Sequence, residues 1–153
     1  MKQATLLFTL ISLCLFSAAQ QTSFINDPNG TFNQAKEYFQ KEQYSLAYPL
    51  LKELQLKQRE TDRSNRALNY QEIKYYTIVC ALKQNEETAV SQAKEFINLE
   101  DNAAKVQMMN FHLAEYYFRK KDYATAQSLF EAAGISNLSN REVADIKFHL
   151  RYG

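Results

Sequence analysis

The chain has 153 residues, of which 46% are hydrophobic and 23% are charged, and its formal net charge is +1. This size fits one globular domain, and 3 glycines and 2 prolines are too few turn-forming residues for a sandwich or barrel of many short strands or for a disordered chain. The balance of 18 basic against 17 acidic residues argues against nucleic acid or an anionic membrane surface as the partner. The composition therefore predicts a single all-α domain.

Residues 1–19 have the pattern of a secretory signal peptide. Lys2 precedes an apolar run over 4–16, and small residues at 17–19 form an A-x-A-like cleavage site. We expect cleavage after Ala19, because the run is shorter than the roughly 18 apolar residues that indicate a spanning helix. An uncleaved anchor and a lipoprotein attached through Cys14 are the alternatives. The pattern predicts that the chain is exported.

Cleavage would leave Cys80 as the only cysteine, so no internal disulfide could form. Cys80 lies in the apolar segment 76–82. This position favours a buried, inert thiol over a disulfide between two chains.

Apolar periodicity and cap residues predict seven helices after a lead-in segment at 20–30. The predicted helices are 31–41, 45–59, 64–83, 87–98, 102–120, 123–133 and 140–151. Pro49 falls inside the second of them, where we expect it to cost one hydrogen bond or to bend the start of the helix. The last helix is expected to begin with a capping box, in which Ser139 and Glu142 bond each other's backbone N–H groups.

The sequence repeats itself at an offset of 79 residues. The matched pairs are Ala35 with Ala114, Tyr38 with Tyr117, Tyr44 with Tyr123, Ala47 with Ala126, Leu51 with Phe130, and Leu54 with Ala133. In each copy, two apolar stripes with helical spacing flank a short polar stretch, which predicts a helix, a tight turn and a second helix. We expect the small alanines where the two helix axes approach closely. A weaker copy is centred on 73–96, and a partial fourth copy begins at Ser139.

This pattern resembles the tetratricopeptide repeat (TPR). The resemblance is carried by the motifs Ala114-x-x-Tyr117, Asp122-Tyr123-x-x-Ala126 and Phe130-x-x-Ala133, and by their counterparts in the first copy. The repeats lack the usual Trp and closing Pro, and their spacing is 42 and then 37 residues, against about 34 in the usual unit. The resemblance implies a helical-hairpin solenoid over 31–153, with about three repeats and a partial fourth. With its signal peptide, the chain resembles exported TPR proteins of Gram-negative bacteria, which implies the periplasm or cell envelope.

A TPR superhelix has a concave face that is lined by the first helix of each pair, and we expect a peptide-binding groove there. Exposed aromatic side chains beside a few charges are typical of such a groove. The predicted lining residues are Phe32, Lys36, Phe39 and Gln40 in the first unit, Lys74, Tyr75 and Ile78 in the second, and Met108, Phe111, His112, Glu115, Phe118 and Arg119 in the third. For the four phenylalanines, packing between helices is an equal alternative. The lysine, asparagine and arginine with which the best-known TPR site grips a terminal carboxylate are not matched, so that clamp is absent.

The sequence does not indicate an enzyme. His112 and His149 are the only histidines, and neither has an acidic or thiol neighbour at metal-ligand spacing. The chain contains no phosphate-binding glycine motif. We therefore expect no metal, no cofactor and no small-molecule substrate.

The leading hypothesis is a non-catalytic exported scaffold that binds a protein or peptide segment on its concave face. The alternative is a periplasmic sensory or input module at the front of a longer membrane receptor, because the sequence stops partway through a fourth unit. A glycan-binding envelope protein is a third possibility, which the absence of Trp disfavours. The coding sequence beyond Gly153 would separate the first two.

Overall fold

The structure is a computed structural model that describes residues 27–60, 70–134 and 139–152. The predicted signal peptide and the first part of the predicted lead-in lie outside the described residues. The described residues form seven α-helices and no strand, which confirms the all-α prediction. The helices are α1 (Pro28–Gln40), α2 (Tyr44–Glu60), α3 (Tyr70–Gln84), α4 (Ala89–Leu99), α5 (Ala103–Arg119), α6 (Tyr123–Ala133) and α7 (Asn140–Tyr152). None of them has the length and hydropathy of a membrane span.

The first helix begins earlier than the sequence predicts. The carboxylate of Asp27 accepts a hydrogen bond from the backbone N–H of Asn29 at 3.0 Å, so Asp27 is the N-cap. Pro28 then occupies the first helical position, where its missing N–H costs nothing. Residues 28–30 are therefore helical and do not belong to a lead-in. Further along the chain, α2 continues through Pro49 without ending.

The two clear copies of the repeat share one turn conformation. Glu42 and Lys121, which are equivalent in the repeat, both have a positive φ, of 57° and 65°. In each turn the backbone N–H of the next residue bonds back to a tyrosine carbonyl in the preceding helix, from Gln43 at 2.8 Å and from Asp122 at 3.0 Å. The predicted helix, turn and helix are confirmed in both copies. At the start of α7, the Oγ of Ser139 accepts from the N–H of Glu142, and a carboxylate oxygen of Glu142 accepts from the N–H of Ser139, so the predicted capping box is also present.

The interior consists of three apolar clusters that follow one another along the chain. The first cluster joins α1, α2 and α3, the second joins α3, α4 and α5, and the third joins α5, α6 and α7. Ala35 and Ala47 lie in the first cluster, and Ala114 and Ala126 lie in the third. All four alanines are buried, as expected for positions where helices approach closely. Because α3 and α5 each contribute to two clusters, every cluster is coupled to its neighbour.

Cys80 is buried in the first cluster, and burial raises its pKa to about 12. Since the thiolate is the reactive form, we expect iodoacetamide at pH 8 to label Cys80 very slowly in the folded chain and rapidly in guanidinium chloride. Mass spectrometry of the peptide that contains Cys80 measures both rates. Equal rates in the two conditions would contradict the buried position.

Candidate functional site

A pocket of about 450 Å³ opens between helices that are distant in sequence. Its walls come from Glu42 and Tyr44 at the turn after α1, from Lys83 near the end of α3, from the 111–119 stretch of α5, and from 139–145 at the start of α7. We call this cavity the polar pocket, because most of its lining side chains are charged or form hydrogen bonds.

Four of the predicted groove residues line the polar pocket together. Phe111, His112, Glu115 and Arg119 all lie on α5, at the spacing of a single helix face. Phe111 and His112 are buried, Glu115 is half-buried and Arg119 is exposed. The α5 face therefore runs from the floor of the pocket at Phe111 to its rim at Arg119.

Glu115 is the centre of a hydrogen-bonded network in the pocket. Its Oε2 accepts from Lys83 Nζ at 2.7 Å and from His112 Nδ1 at 3.2 Å. Burial opposes ionisation of Glu115, but the hydrogen bond from His112 and the charge of Lys83 outweigh it and lower its pKa to about 2. Glu115 is therefore a carboxylate throughout the physiological pH range.

The network extends inward to Tyr75. His112 Nε2 lies 3.1 Å from the Tyr75 hydroxyl, which is buried. When His112 is neutral and its Nδ1–H donates to Glu115, Nε2 is left to accept from Tyr75. Burial raises the pKa of Tyr75, so the hydroxyl keeps its proton and can donate. Each link between Tyr75 and Lys83 is thus satisfied, and the floor of the pocket has fixed geometry.

Two contacts hold the walls of the pocket in place. Arg119 donates through one NH2 to the carbonyl oxygen of Leu82 at 3.0 Å, which ties the end of α5 to the last turn of α3. Arg141 at the start of α7 forms an ion pair of 2.8 Å with Glu42 at the turn after α1. This second pair is exposed, so it contributes only about 0–1 kcal/mol.

Three other predicted groove residues are buried in the interior. Phe32 is 4% exposed and packs against Tyr76 of α3, and Ile78 is 1% exposed in the second cluster. The prediction that Phe32 and Ile78 present a binding surface is therefore wrong, because α3 and α4 cover them. Tyr75 is buried as well and reaches the site only through its bond to His112.

Phe39 and Phe118 occupy equivalent half-buried positions. The ring of Phe39 meets those of Tyr44 and Tyr76 edge-on, with centroids 5.4 and 4.7 Å apart. Phe118 meets Tyr123 in a similar way, with centroids 5.2 Å apart. Both phenylalanines therefore stabilise helix contacts, and neither lines the polar pocket.

The remaining four predicted groove residues also lie outside the polar pocket. Lys36 Nζ is 5.5 Å from the centre of the Phe32 ring, and Lys74 Nζ is 3.5 Å from a carboxylate oxygen of Glu95. Met108 packs against the second cluster, and Gln40 is exposed. Only Phe111, His112, Glu115 and Arg119 of the predicted groove therefore line the polar pocket.

A second, smaller pocket of about 280 Å³ lies between α5, α6 and α7. His149 lines it, with its ring centroid 3.8 Å from that of Phe118 and stacked on Phe130 at 5.4 Å. Burial lowers the pKa of His149. Its neighbours in this pocket are aromatic, aliphatic or amide side chains, and the described ranges contain no group of three His, Cys, Asp or Glu residues that could hold a metal ion.

The residues that line the polar pocket outside α5 are not predicted from the sequence as site residues. Glu42 is the positive-φ residue of its turn, Lys83 is far from Glu115 in sequence, and the residues at 139–145 stand out only as a helix cap. No local pattern places these three regions opposite α5.

Comparisons with family models, with curated proteins and with solved structures find no match to this chain, so its function has to be inferred from the polar pocket itself.

Proposed function

We propose that the chain is a non-catalytic interaction scaffold of TPR type, exported to the periplasm or cell envelope, and that it binds a segment of a partner protein in the polar pocket. The observation that carries this proposal is the pocket itself. Its walls come from the turn after α1, from α3 and α5 and from the start of α7, so one ligand would contact segments that are far apart in the sequence.

The polar pocket is organised before any ligand arrives. Glu115 is already ionised and bonded to Lys83 and His112, and His112 is already bonded to Tyr75. Such a site loses little side-chain entropy on binding, which favours affinity. Its volume of about 450 Å³ lies within the range of about 300–1,000 Å³ that is usual for ligand sites. A mixture of donors, acceptors and one aromatic floor suits a peptide, because the peptide backbone has both donors and acceptors.

The TPR-type arrangement is supported by the repeated hairpin and by the shared clusters. The turns at Glu42 and Lys121 have the same backbone conformation, and each apolar cluster is shared by three consecutive helices. In stacked repeats, each unit likewise contacts mainly its neighbours. In this proposal α7 packs on the hairpin of α5 and α6, against which Ile146 is buried.

Selection from a phage-displayed library of random peptides on the purified chain tests the proposal. We expect peptides to be enriched, and Arg119→Glu to weaken their binding about tenfold or more, because the variant loses the guanidinium at the rim of the pocket, whose further N–H donors are available to the ligand. Lys94→Glu makes the same charge change on the exposed face of α4, outside the pocket, and should leave affinity within about twofold. Fluorescence polarisation with labelled peptides measures the affinities.

Two results would contradict the proposal. One is a selection that enriches no peptide. The other is a set of enriched peptides whose affinity is equal for both variants, since their site would then lie outside the polar pocket.

A further inference from the structure

The charges in the polar pocket are not all compensated. Lys83 is paired with Glu115, and Arg141 is paired with Glu42. Asp145, on the α7 wall, has neither a hydrogen bond nor an ion pair with another described residue. Arg119 and Arg141 line the same pocket, but no described cation lies within ion-pair distance of the Asp145 carboxylate.

The neighbouring carboxylate has no cationic partner either. Glu142 accepts from the N–H and the hydroxyl of Ser139, both of which are neutral donors. Arg119, on the opposite wall, donates to the carbonyl of Leu82, and no described carboxylate forms an ion pair with it. The uncompensated charges of the pocket are thus two carboxylates on α7 and one guanidinium on α5.

The titratable groups around the pocket experience a field in which carboxylates prevail. The pKa of Tyr44 is raised to about 12, first by burial and then by the charges of Glu42 and Glu115, with only Arg141 acting in the opposite direction. Burial lowers the pKa of His149, while Asp145 and Glu115 act to raise it. At Tyr44 in the polar pocket, and at His149 in the smaller pocket beside Phe118, the nearby charges therefore favour a cation.

We infer that the partner segment is anchored by a lysine or arginine side chain, whose cationic group enters the polar pocket and bonds to Asp145. This inference rests on the proposed function and specifies the chemistry of the ligand. A cation at this position would compensate the charge of Asp145 without displacing either existing ion pair. Arg119, which retains unused N–H donors, is placed to bind a backbone carbonyl or an acidic side chain of the same segment.

The test uses the peptides that the selection enriches, with one residue exchanged at a time. Replacing the anchoring lysine by norleucine, or the anchoring arginine by citrulline, removes the charge and keeps the length of the side chain. We expect a loss of about tenfold or more in affinity, as is usual for a charge-assisted hydrogen bond in a partly buried site. Asp145→Lys should cause a loss of the same size.

A charge swap makes the test specific. The Asp145→Lys chain should bind a peptide whose anchoring lysine is replaced by glutamate better than it binds the original peptide. Asp101→Lys, at an exposed position outside the pocket, is the matched control and should leave the preference for lysine unchanged. Circular dichroism verifies that each variant keeps its helix content.

The outcomes separate this inference from the proposed function. If the enriched peptides respond to Arg119→Glu but tolerate norleucine, or if they are anchored by acidic residues, then the pocket binds peptides and the inference is overturned. If no peptide is enriched, the proposed function fails and the inference fails with it.

Discussion

Replacing Phe96 with alanine is expected to lower the free energy of unfolding by about 3–5 kcal/mol, which is the usual cost of removing a buried phenylalanine ring. Phe96 is 1% exposed and lies in the second cluster, which α3, α4 and α5 share. Because helices on either side depend on this cluster, they cannot close on the cavity without disturbing the first and third clusters. Urea unfolding monitored by circular dichroism measures the loss.

Phe148 provides the matched control for this substitution. It is 58% exposed on α7, so Phe148→Ala removes a ring that is mostly in solvent. The expected change is within about 0.5 kcal/mol, as for most surface substitutions. Equal losses for Phe96→Ala and Phe148→Ala would contradict the position of the second cluster.

Glu115 is expected to make stability depend on pH in the acid range. Its pKa falls from the ordinary value of 4.5 to about 2 on folding, which corresponds to about 3 kcal/mol of stabilisation. Since the folded pKa is the lower one, this contribution is complete above the ordinary pKa and is lost as the pH falls towards 2. The side chain is only 18% exposed, so solvent screens the interactions weakly.

Comparison of the wild type with Glu115→Gln tests this prediction. The variant should be much less stable than the wild type at pH 7, because Lys83 loses its partner, and the difference should shrink as the pH approaches 2. Glu53→Gln, at an exposed ion pair on α2, should show little difference from the wild type at any pH. A difference between Glu115→Gln and the wild type that is constant with pH would show that Glu115 is not ionised below its ordinary pKa.

The hairpins could be predicted from the sequence because they depend on local patterns. The small side chains of Ala35 and Ala114 indicate close contacts between helices, and both residues are buried. The polar stretches between the apolar stripes predict turns, which the structure shows at Glu42 and Lys121. The capping box at Ser139 is likewise encoded within four residues. Such features depend on residues that are close together in the sequence, so a local pattern is enough to predict them.

The polar pocket could be predicted only in part, because most of it depends on contacts between distant residues. Helix projection placed His112, Glu115 and Arg119 on one face, but it could not show that Lys83 would neutralise Glu115 or that 139–145 would lie across from them. Nor could it distinguish a face that solvent reaches from one that a neighbouring helix covers. Phe32 and Ile78 belong to faces that are covered.

The polar pocket depends on segments beside the first and the last described helices, and this has a thermal consequence. Its walls include the turn after α1 and the start of α7, while the second cluster lies midway between them. Where subunits are coupled mainly to their neighbours, fraying begins at the outermost ones. Warming would therefore disrupt the polar pocket while the central helices are still intact, so the peptide binding proposed above should be lost at a lower temperature than the helix signal.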